Sequence, residues 1–459
     1  MPLPSINFTS KVWIMCCRFP WLAPAIVTAF AAVIFWGAAS HADERPPSLA
    51  SAQKGRDSVA TCQKVEGALL EKTDTGLRVV KVGDKIAPKA LLIGFPDAQL
   101  VSADGLIQIA LMLNKRNKLP VTEAAIVLND DPALSADISL ERGVIGLKGL
   151  SDKSEIQIKV RGGEEVWSLT LKEPGTNVVV ARFGRHTPGV KQFQDPAKKV
   201  LLDIPQSHFG VLVINGTVIV NTGAVTYTLK APPGPALLTM DSAVGIQLKH
   251  LDKLPEEAAV RSPEDEKLHK EICDVCARLA AGKDFGKDLE TMEKSASPIE
   301  RLVAVAAMGA VDDLPRLWHA LEDPKNADVR DQAIRTLRNW IGRKPGQVKK
   351  LFEHLTTDEK LPKNKAKTVI LLLRGFDDSD ISDTHLYQLL IDELEFGSLP
   401  LRELAHWHLE RLAPAGESIA YDAGADEPTR RKAVAQWRQL IPPGQMPPPP
   451  KLDPKKKAG

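Results

Sequence analysis

The sequence predicts an α+β chain in two successive parts: an N-terminal antiparallel all-β domain, a sandwich or roll, and an all-α domain of stacked helical repeats. Three observations carry this prediction. From about residue 65 to residue 250, short β-type runs alternate with turn residues and no helix-period run intervenes. After SPEDEK (262–267) the apolar period becomes helical and holds to Pro442-Pro443. Within that second part, a basic residue followed by alanine three positions on and a large apolar residue seven positions on recurs five times.

Taken in chain order, the first element is a weakly basic leader ending at Arg18 and followed by WLAPAIVTAFAAVIFWGAAS (21–40). Ser40-His41-Ala42 supplies small residues at the two positions a signal peptidase reads, so residues 1–42 read as an export signal. An apolar run of about 20 residues also suffices to cross a bilayer, so retention as a single anchor stays open. In both cases residues 43–459 are expected outside the cytoplasm, in the periplasm or held at the inner membrane. Residues 43–60, rich in charge, Pro and Ser, read as a solvated linker.

The β domain is expected over 61–255. LRVVKV (77–82), ALLIG (90–94) and LIQIALML (106–113) are its typical runs, the last launched by Asp104-Gly105. IQIKV and VWSLTL are joined through Gly162-Gly163. VLVI and TVIV flank Asn215-Gly216, a pair suited to the positive backbone angles of a two-residue hairpin.

The helical domain is expected over 262–442. Its recurring element begins at Arg301, Arg330, Lys363, Arg402 and Arg430, at intervals of 29, 33, 39 and 28 residues. Helix pairs stacked edge to edge repeat at about this length, because each pair buries its apolar face against its neighbours. The alanine lets helices approach, and the base is expected to reach acids of the preceding pair. ADVRDQAIRTLRNW (327–340) shows the unit: Asp328 as cap, Val329, Ala333, Ile334 and Leu337 inward, Arg330, Asp331, Arg335 and Arg338 outward. In DDLPRLWHAL (312–321) an Asp caps a helix that tolerates Pro315 in its first turn. The segment 443–459, PPGQMPPPPKLDPKKKAG with its first proline removed, cannot form a core and reads as a disordered Pro/Lys-rich tail.

Charge narrows the function classes. The net +2 of the 459 residues comes from Lys11 and Arg18, since residues 1–42 hold no acid. A neutral body argues against a dedicated nucleic-acid binder, whose affinity rests on neutralising phosphates. Cys62, Cys273 and Cys276 are too few for a disulfide framework.

The sharpest local signal is EICDVC (271–276), in which Cys273 and Cys276 have the spacing of a redox pair. Glu271 and Asp274 beside them raise thiol pKa values, the wrong direction for an attacking group, and no βαβ context precedes them. The contrasting reading is a pair of small buried residues, oxidised or bridged to Cys62. For zinc, His269 is the one nearby further ligand. His406 and His408 in AHWHL (405–409) diverge by about 200° on a helix and cannot share a metal; surface histidines beside a packed Trp407 are expected. Asp130, Asp131 and Asp137 in NDDPALSAD (129–137) lack the alternation of a calcium loop and read as a hairpin connection. Phosphate-cradling loops, Gly-x-Ser-x-Gly and His-Glu-x-x-His are absent. No catalytic, cofactor or metal residue is therefore assigned.

VVKVGDKIAPKALLIGFPDAQLVSADGLIQIAL (79–111) resembles a FecR-like β domain, and the helical part resembles HEAT-type repeats. LKAPPGPALLTMDS (229–242), AHWHLERLAPAG (405–416) and WRQLIPPGQMPP (437–448) resemble an uncharacterised group of exported bacterial proteins combining these two parts. The FecR resemblance implies a sensor that passes an outside signal to a cytoplasmic sigma factor. That role needs a cytoplasmic domain, and only 20 residues precede the apolar run.

These features favour a non-enzymatic cell-envelope protein acting as a scaffold for protein partners, without cofactor or nucleic acid. It would touch the membrane only through residues 21–40, if these are uncleaved. The alternative is a membrane-anchored FecR-like sensory component. A third reading is an exported thiol-disulfide oxidoreductase using Cys273 and Cys276. Nothing in the sequence specifies an oligomeric state.

Overall fold

In the computed structural model the described residues are 56–112, 123–152, 155–186, 188, 205–255, 261–282 and 284–449. They fall within one compact unit, 54–459. The expected export signal at 1–42, most of the expected linker and the end of the tail lie outside the described residues. Among the described residues no helix is long and apolar enough to cross a membrane.

Apolar alternation in short runs builds sixteen strands among the described residues. The first eight are β1 (Ala60–Val65), β2 (Leu69–Thr73), β3 (Gly76–Val79), β4 (Lys85–Ile86), β5 (Leu91–Gly94), β6 (Ala98–Ser102), β7 (Ile107–Met112) and β8 (Ala124–Asn129). The others are β9 (Ala136–Gly149), β10 (Ile156–Gly162), β11 (Glu165–Leu171), β12 (Asn177–Arg185), β13 (Gln206–Asn221), β14 (Thr226–Ala231), β15 (Ala236–Asp241) and β16 (Gly245–His250). All sixteen belong to one hydrogen-bonded network. Within it β9, β10, β11, β13 and β12 close on one another as a five-stranded barrel. The β9–β10 pair is parallel. Trp167 and Phe209 pack edge to face in the core, with ring centroids 4.7 Å apart. Gly162 leaves them room, since a methyl there would lie 2.4 Å from the Phe209 ring.

Two long strands make this closure. β9 bends at Gly143 (φ 89°), pairing with β8 and β10 before the bend and with β7 and β12 after it. β13 bends at Gly216 (φ 90°), passing from β12 and β15 to β11 and β14. This corrects the expected hairpin at Asn215-Gly216: VLVI and TVIV are one strand. The positive φ coincides with a register shift at Asn177/Val178, so the strand pivots from one sheet direction to another instead of reversing. A Cβ at residue 216 would lie 2.4 Å from Thr176 Oγ1.

The helices are α1 (Pro263–Ala281), α2 (Phe285–Glu293), α3 (Pro298–Ala310), α4 (Leu314–Leu321), α5 (Ala327–Ile341) and α6 (Gln347–Glu353). They continue with α7 (Lys363–Arg374), α8 (Asp378–Ile381), α9 (Thr384–Phe396), α10 (Leu399–Leu412) and α11 (Glu427–Leu440). Ser262, Asp284, Ser297, Asp313 and Asp426 cap their helices through side-chain acceptors; of these only the Asp of DDLPRLWHAL is expected from the sequence. Asp328 does not cap α5. It lies in the first turn after Asn326 and takes Arg301 at 2.6 Å.

The recurring base has a different job from the expected one. Arg301, Arg330, Arg402 and Arg430 are each the fourth residue of a helix. Each folds back onto a carbonyl of the loop before it: Ser295, Asp323, Gly397 and Ala425. A guanidinium can do this and still reach acids with its remaining donors. Lys363, at the first position of α7, falls outside the pattern. Arg330, expected outward, is fully buried, with Nε 2.7 Å from Glu403 and Nη2 2.5 Å from Asp422.

The expected fold class, a separate all-β domain followed by a separate HEAT-like array, is therefore corrected to a single mixed α/β fold. The helices do not stack only on sequence neighbours, because α10 packs on α4, α5 and α7 as well as α9. Nor is their core wholly their own. Leu70, Ile93 and Phe95, none more than 2% exposed, share one apolar cluster with Ile272, Cys276 and Leu279 of α1. Burying three strand side chains of that size contributes about 5–9 kcal/mol. A whole domain's net stability is about 5–15 kcal/mol, so this shared core is not a loose docking. Periodicity reports which faces are apolar, but not which partner covers them.

Candidate functional site

The strands and helices meet at two polar clusters. In the first, the capping box of Ser262 and Asp265, with Pro263 in the first turn, sets the start of α1. His269 and Cys273, four residues apart, then lie on the face that also buries Ile272, Cys276 and Leu279. Opposite them, Glu66 follows β1 and Asp97 precedes β6. The two turns are tied by Glu66 N–H to Asp97 O at 3.2 Å and Gly67 N–H to Pro96 O at 3.1 Å. Asp97 sits at φ 59°, in the left-handed region uncommon for a residue with a side chain.

His269 Nε2 is 2.6 Å from Asp97 Oδ2 and 3.5 Å from Cys273 Sγ. Arg261 lies 3.5 Å from the same Asp97 oxygen, and Lys64 pairs with Glu66. One donor atom from each of Glu66, Asp97, His269 and Cys273 lies within 4.8 Å of all the others. Burial would raise the Asp97 carboxyl, but the hydrogen bond and charge of His269, with Arg261, hold it below its ordinary value.

This arrangement does not make a nucleophile. In a triad one imidazole nitrogen takes the nucleophile's proton while the other is oriented by an acid. Here Nε2 faces both the thiol and Asp97, and Nδ1 is buried without a hydrogen-bond partner. Burial, then the charges of Asp97 and Glu66, push the Cys273 thiol up to about 12; burial pushes Cys276 to about 12 as well. Both are free thiols, 5% and 0% exposed, and Cys62 is free and buried in a different apolar cluster. A thiol pair meant for exchange needs a lower pKa and access. What four converging S, N and O donors can do is hold a cation.

In the second cluster Glu123, fully buried, accepts from Arg142 and, at 2.7 Å, from Arg343. Arg142 also donates to Ala310 O at 2.7 Å, and Arg343 to Gly309 O at 2.6 Å. Burial works to raise the Glu123 carboxyl, and the two guanidinia overcome it and hold it low. Nearby, Gly184 and Gly342 bring β12 and the end of α5 into backbone contact: a methyl on Gly184 would lie 2.0 Å from Gly342 O.

The other residues singled out from the sequence are structural. Asp130 and Asp131, in the connection between β8 and β9, pair with Arg56 and Lys159, and Asp137, at the start of β9, pairs with Arg161. His406 and His408 are not surface histidines. His408 Nε2 is 2.6 Å from Leu372 O, and burial lowers the two imidazoles to about 4 and about 3. The Arg411 guanidinium stacks over Trp407 at 3.5 Å. Glu66 and Asp97 escaped the sequence reading. The one signal within reach was the i, i+4 spacing of His269 and Cys273, overshadowed by Cys-x-x-Cys.

A second surface feature is β16, which pairs only with β15 among the described residues. On β15, Leu238 and Met240 belong to the apolar row of the core, and β16 sets Leu248 and Ile246 opposite them. The row therefore runs onto an edge with no further strand among the described residues, where Val244, Ile246 and Leu248 are 64%, 37% and 43% exposed.

No family model, curated protein or solved structure matches the chain.

Proposed function

We propose that the chain is a non-enzymatic binding protein of the cell envelope that docks an extended segment of a partner protein along β16. The observation carrying this reading is the coincidence, on one edge, of backbone groups without a strand partner among the described residues with the apolar row Val244, Ile246 and Leu248. Added strands gain affinity from main-chain hydrogen bonds and specificity from alternate side chains. Proteins that keep such an edge free usually blunt it with charge, proline or a bulge. On β16 charge comes only at its end, at Lys249. The leader at 1–42 supports the envelope as the place.

The test is a photo-crosslinker at Ile246 of the full chain in its native envelope, with a control at Leu371, which is 43% exposed on α7. One defined protein adduct at 246, absent at 371 and lost with Leu248→Lys, is the expected result. No adduct, or the same adducts at both positions, contradicts it. The second reading, a membrane-held sensory component, draws on the length of the apolar run 21–40. Recovery of the full-length chain with membranes favours it, and a soluble chain beginning at Asp43 removes it.

A further inference from the structure

We propose that Glu66, Asp97, His269 and Cys273 bind a borderline divalent cation, of which Zn2+ is the type, and that this ion pins α1 to the strand turns at 66–67 and 96–97.

The donor set is the first argument. A thiol, an imidazole and two carboxylates are all ligands zinc accepts, and mixed S, N and O donors fit neither Mg2+ nor Ca2+, which take oxygen. Four protein donors complete a tetrahedral shell, the pattern of a structural site with no position left for substrate.

The geometry is the second. With metal–ligand bonds of about 2.0–2.3 Å, tetrahedral ligand atoms stand about 3.3–3.7 Å apart. Cys273 Sγ and His269 Nε2 already stand at 3.5 Å. The 2.6 Å between His269 Nε2 and Asp97 Oδ2 is the length of a hydrogen bond. An ion therefore replaces a proton there, and the pair opens by about 1 Å. The imidazole proton moves to Nδ1 and the thiol proton is released, since zinc takes the thiolate and an unprotonated nitrogen.

The surroundings are the third. A thiolate and two carboxylates carry one negative charge more than a divalent ion neutralises. Lys64 on Glu66 and Arg261 on Asp97 stand behind the two carboxylates to meet it. The left-handed backbone at Asp97 and the close approach at Gly67, where a Cβ would lie 2.8 Å from Pro96 O, hold the two turns together before any ion arrives. Strained positions of this kind concentrate where a ligand is clamped. Among the described residues the other group of metal-type side chains, His319, Glu322 and Glu359, has no thiol, and its histidine is 58% exposed. It is the rival site, and the test must separate the two.

The full chain is stripped with chelator under reductant and dialysed against Zn2+ or, separately, Co2+. Bound metal is counted by elemental analysis, and the cobalt form is examined for the charge-transfer absorption of a thiolate ligand. One zinc per chain and a thiolate–cobalt band are expected. Cys273→Ser and His269→Gln should lose both, while Cys276→Ser and His319→Ala keep both. Zinc should also raise the unfolding temperature of the parent chain and leave that of Cys273→Ser unmoved. A parent chain that retains no zinc overturns the proposal whatever the variants do. Zinc retained equally by Cys273→Ser, or lost with His319→Ala, overturns it too.

Discussion

Glu123, with Arg142 and Arg343, fastens the strands to the end of α5. Glu66 and Asp97, with His269 and Cys273, fasten them to α1. At the Glu123 junction one buried carboxylate faces two guanidinia, and their remaining donors reach helix-end carbonyls. At the α1 junction two carboxylates and a thiol converge on one imidazole, with cations only at the rim. The chain satisfies the first cluster with its own charges, whereas the second has more electron-pair donors than protons to share among them. A junction of the first kind is constitutive. One of the second kind is open to control by an ion.

The largest expected effect is at the constitutive junction. Glu123→Ala removes the one carboxylate that Arg142 and Arg343 share, with the Arg343 side chain only 7% exposed, and should cost about 3–5 kcal/mol in urea unfolding. A loss below about 1 kcal/mol would erase the contrast between the two junctions.

Acid should separate these junctions from the helix interior. The buried imidazoles of His406 and His408 are depressed to about 4 and about 3, so the unfolded chain binds protons the folded one refuses. Their contribution is complete above the unfolded value near 6.5 and falls as pH drops, by about 1.4 kcal/mol per pH unit for each histidine. Glu123 and Asp97 are depressed carboxyls, so their contribution is complete above an unfolded pKa of about 4 and is lost only below it. Urea midpoints from pH 7.5 to 5 should therefore fall in the parent chain and fall less steeply in His408→Phe. An equal slope in both would contradict the assignment.

The smallest effect is expected from Asp97→Asn in metal-free protein. Asp97 is partly exposed, its pair with Arg261 lies at the rim, and an asparagine oxygen can still accept from the buried His269, so about 0–1 kcal/mol is the range. The variant should instead lose any stabilisation that zinc confers on the parent. A loss of several kcal/mol without metal would make this junction constitutive as well.

Much of the strand pattern was legible because alternation is local: β5 and β7 lie within the runs read from residues alone, and β10 and β11 contain theirs. The bends were not. Asn-Gly permits a hairpin, and only the pairing of β13 with β12, β11, β14 and β15 shows that Gly216 turns a strand without reversing it. Arg330 misled for a related reason. A guanidinium on the flank of an apolar face looks solvated until Glu403 and Asp422, over seventy residues on, are brought against it. The cysteines were seen as a pair with each other. Their chemistry depends on Glu66 and Asp97, which are near α1 only through the topology of β1, β5 and β6.

The central claim is that the helices complete their core with side chains of β2 and β5, so the helical part does not fold without the strands. Expression of residues 262–442 alone tests it most directly, followed by far-UV circular dichroism and thermal unfolding. Without Leu70, Ile93 and Phe95 to cover α1, the fragment should show no cooperative transition and should bind hydrophobic dye. A sharp, reversible transition with full helical signal would mean an independent helical domain and would contradict the account.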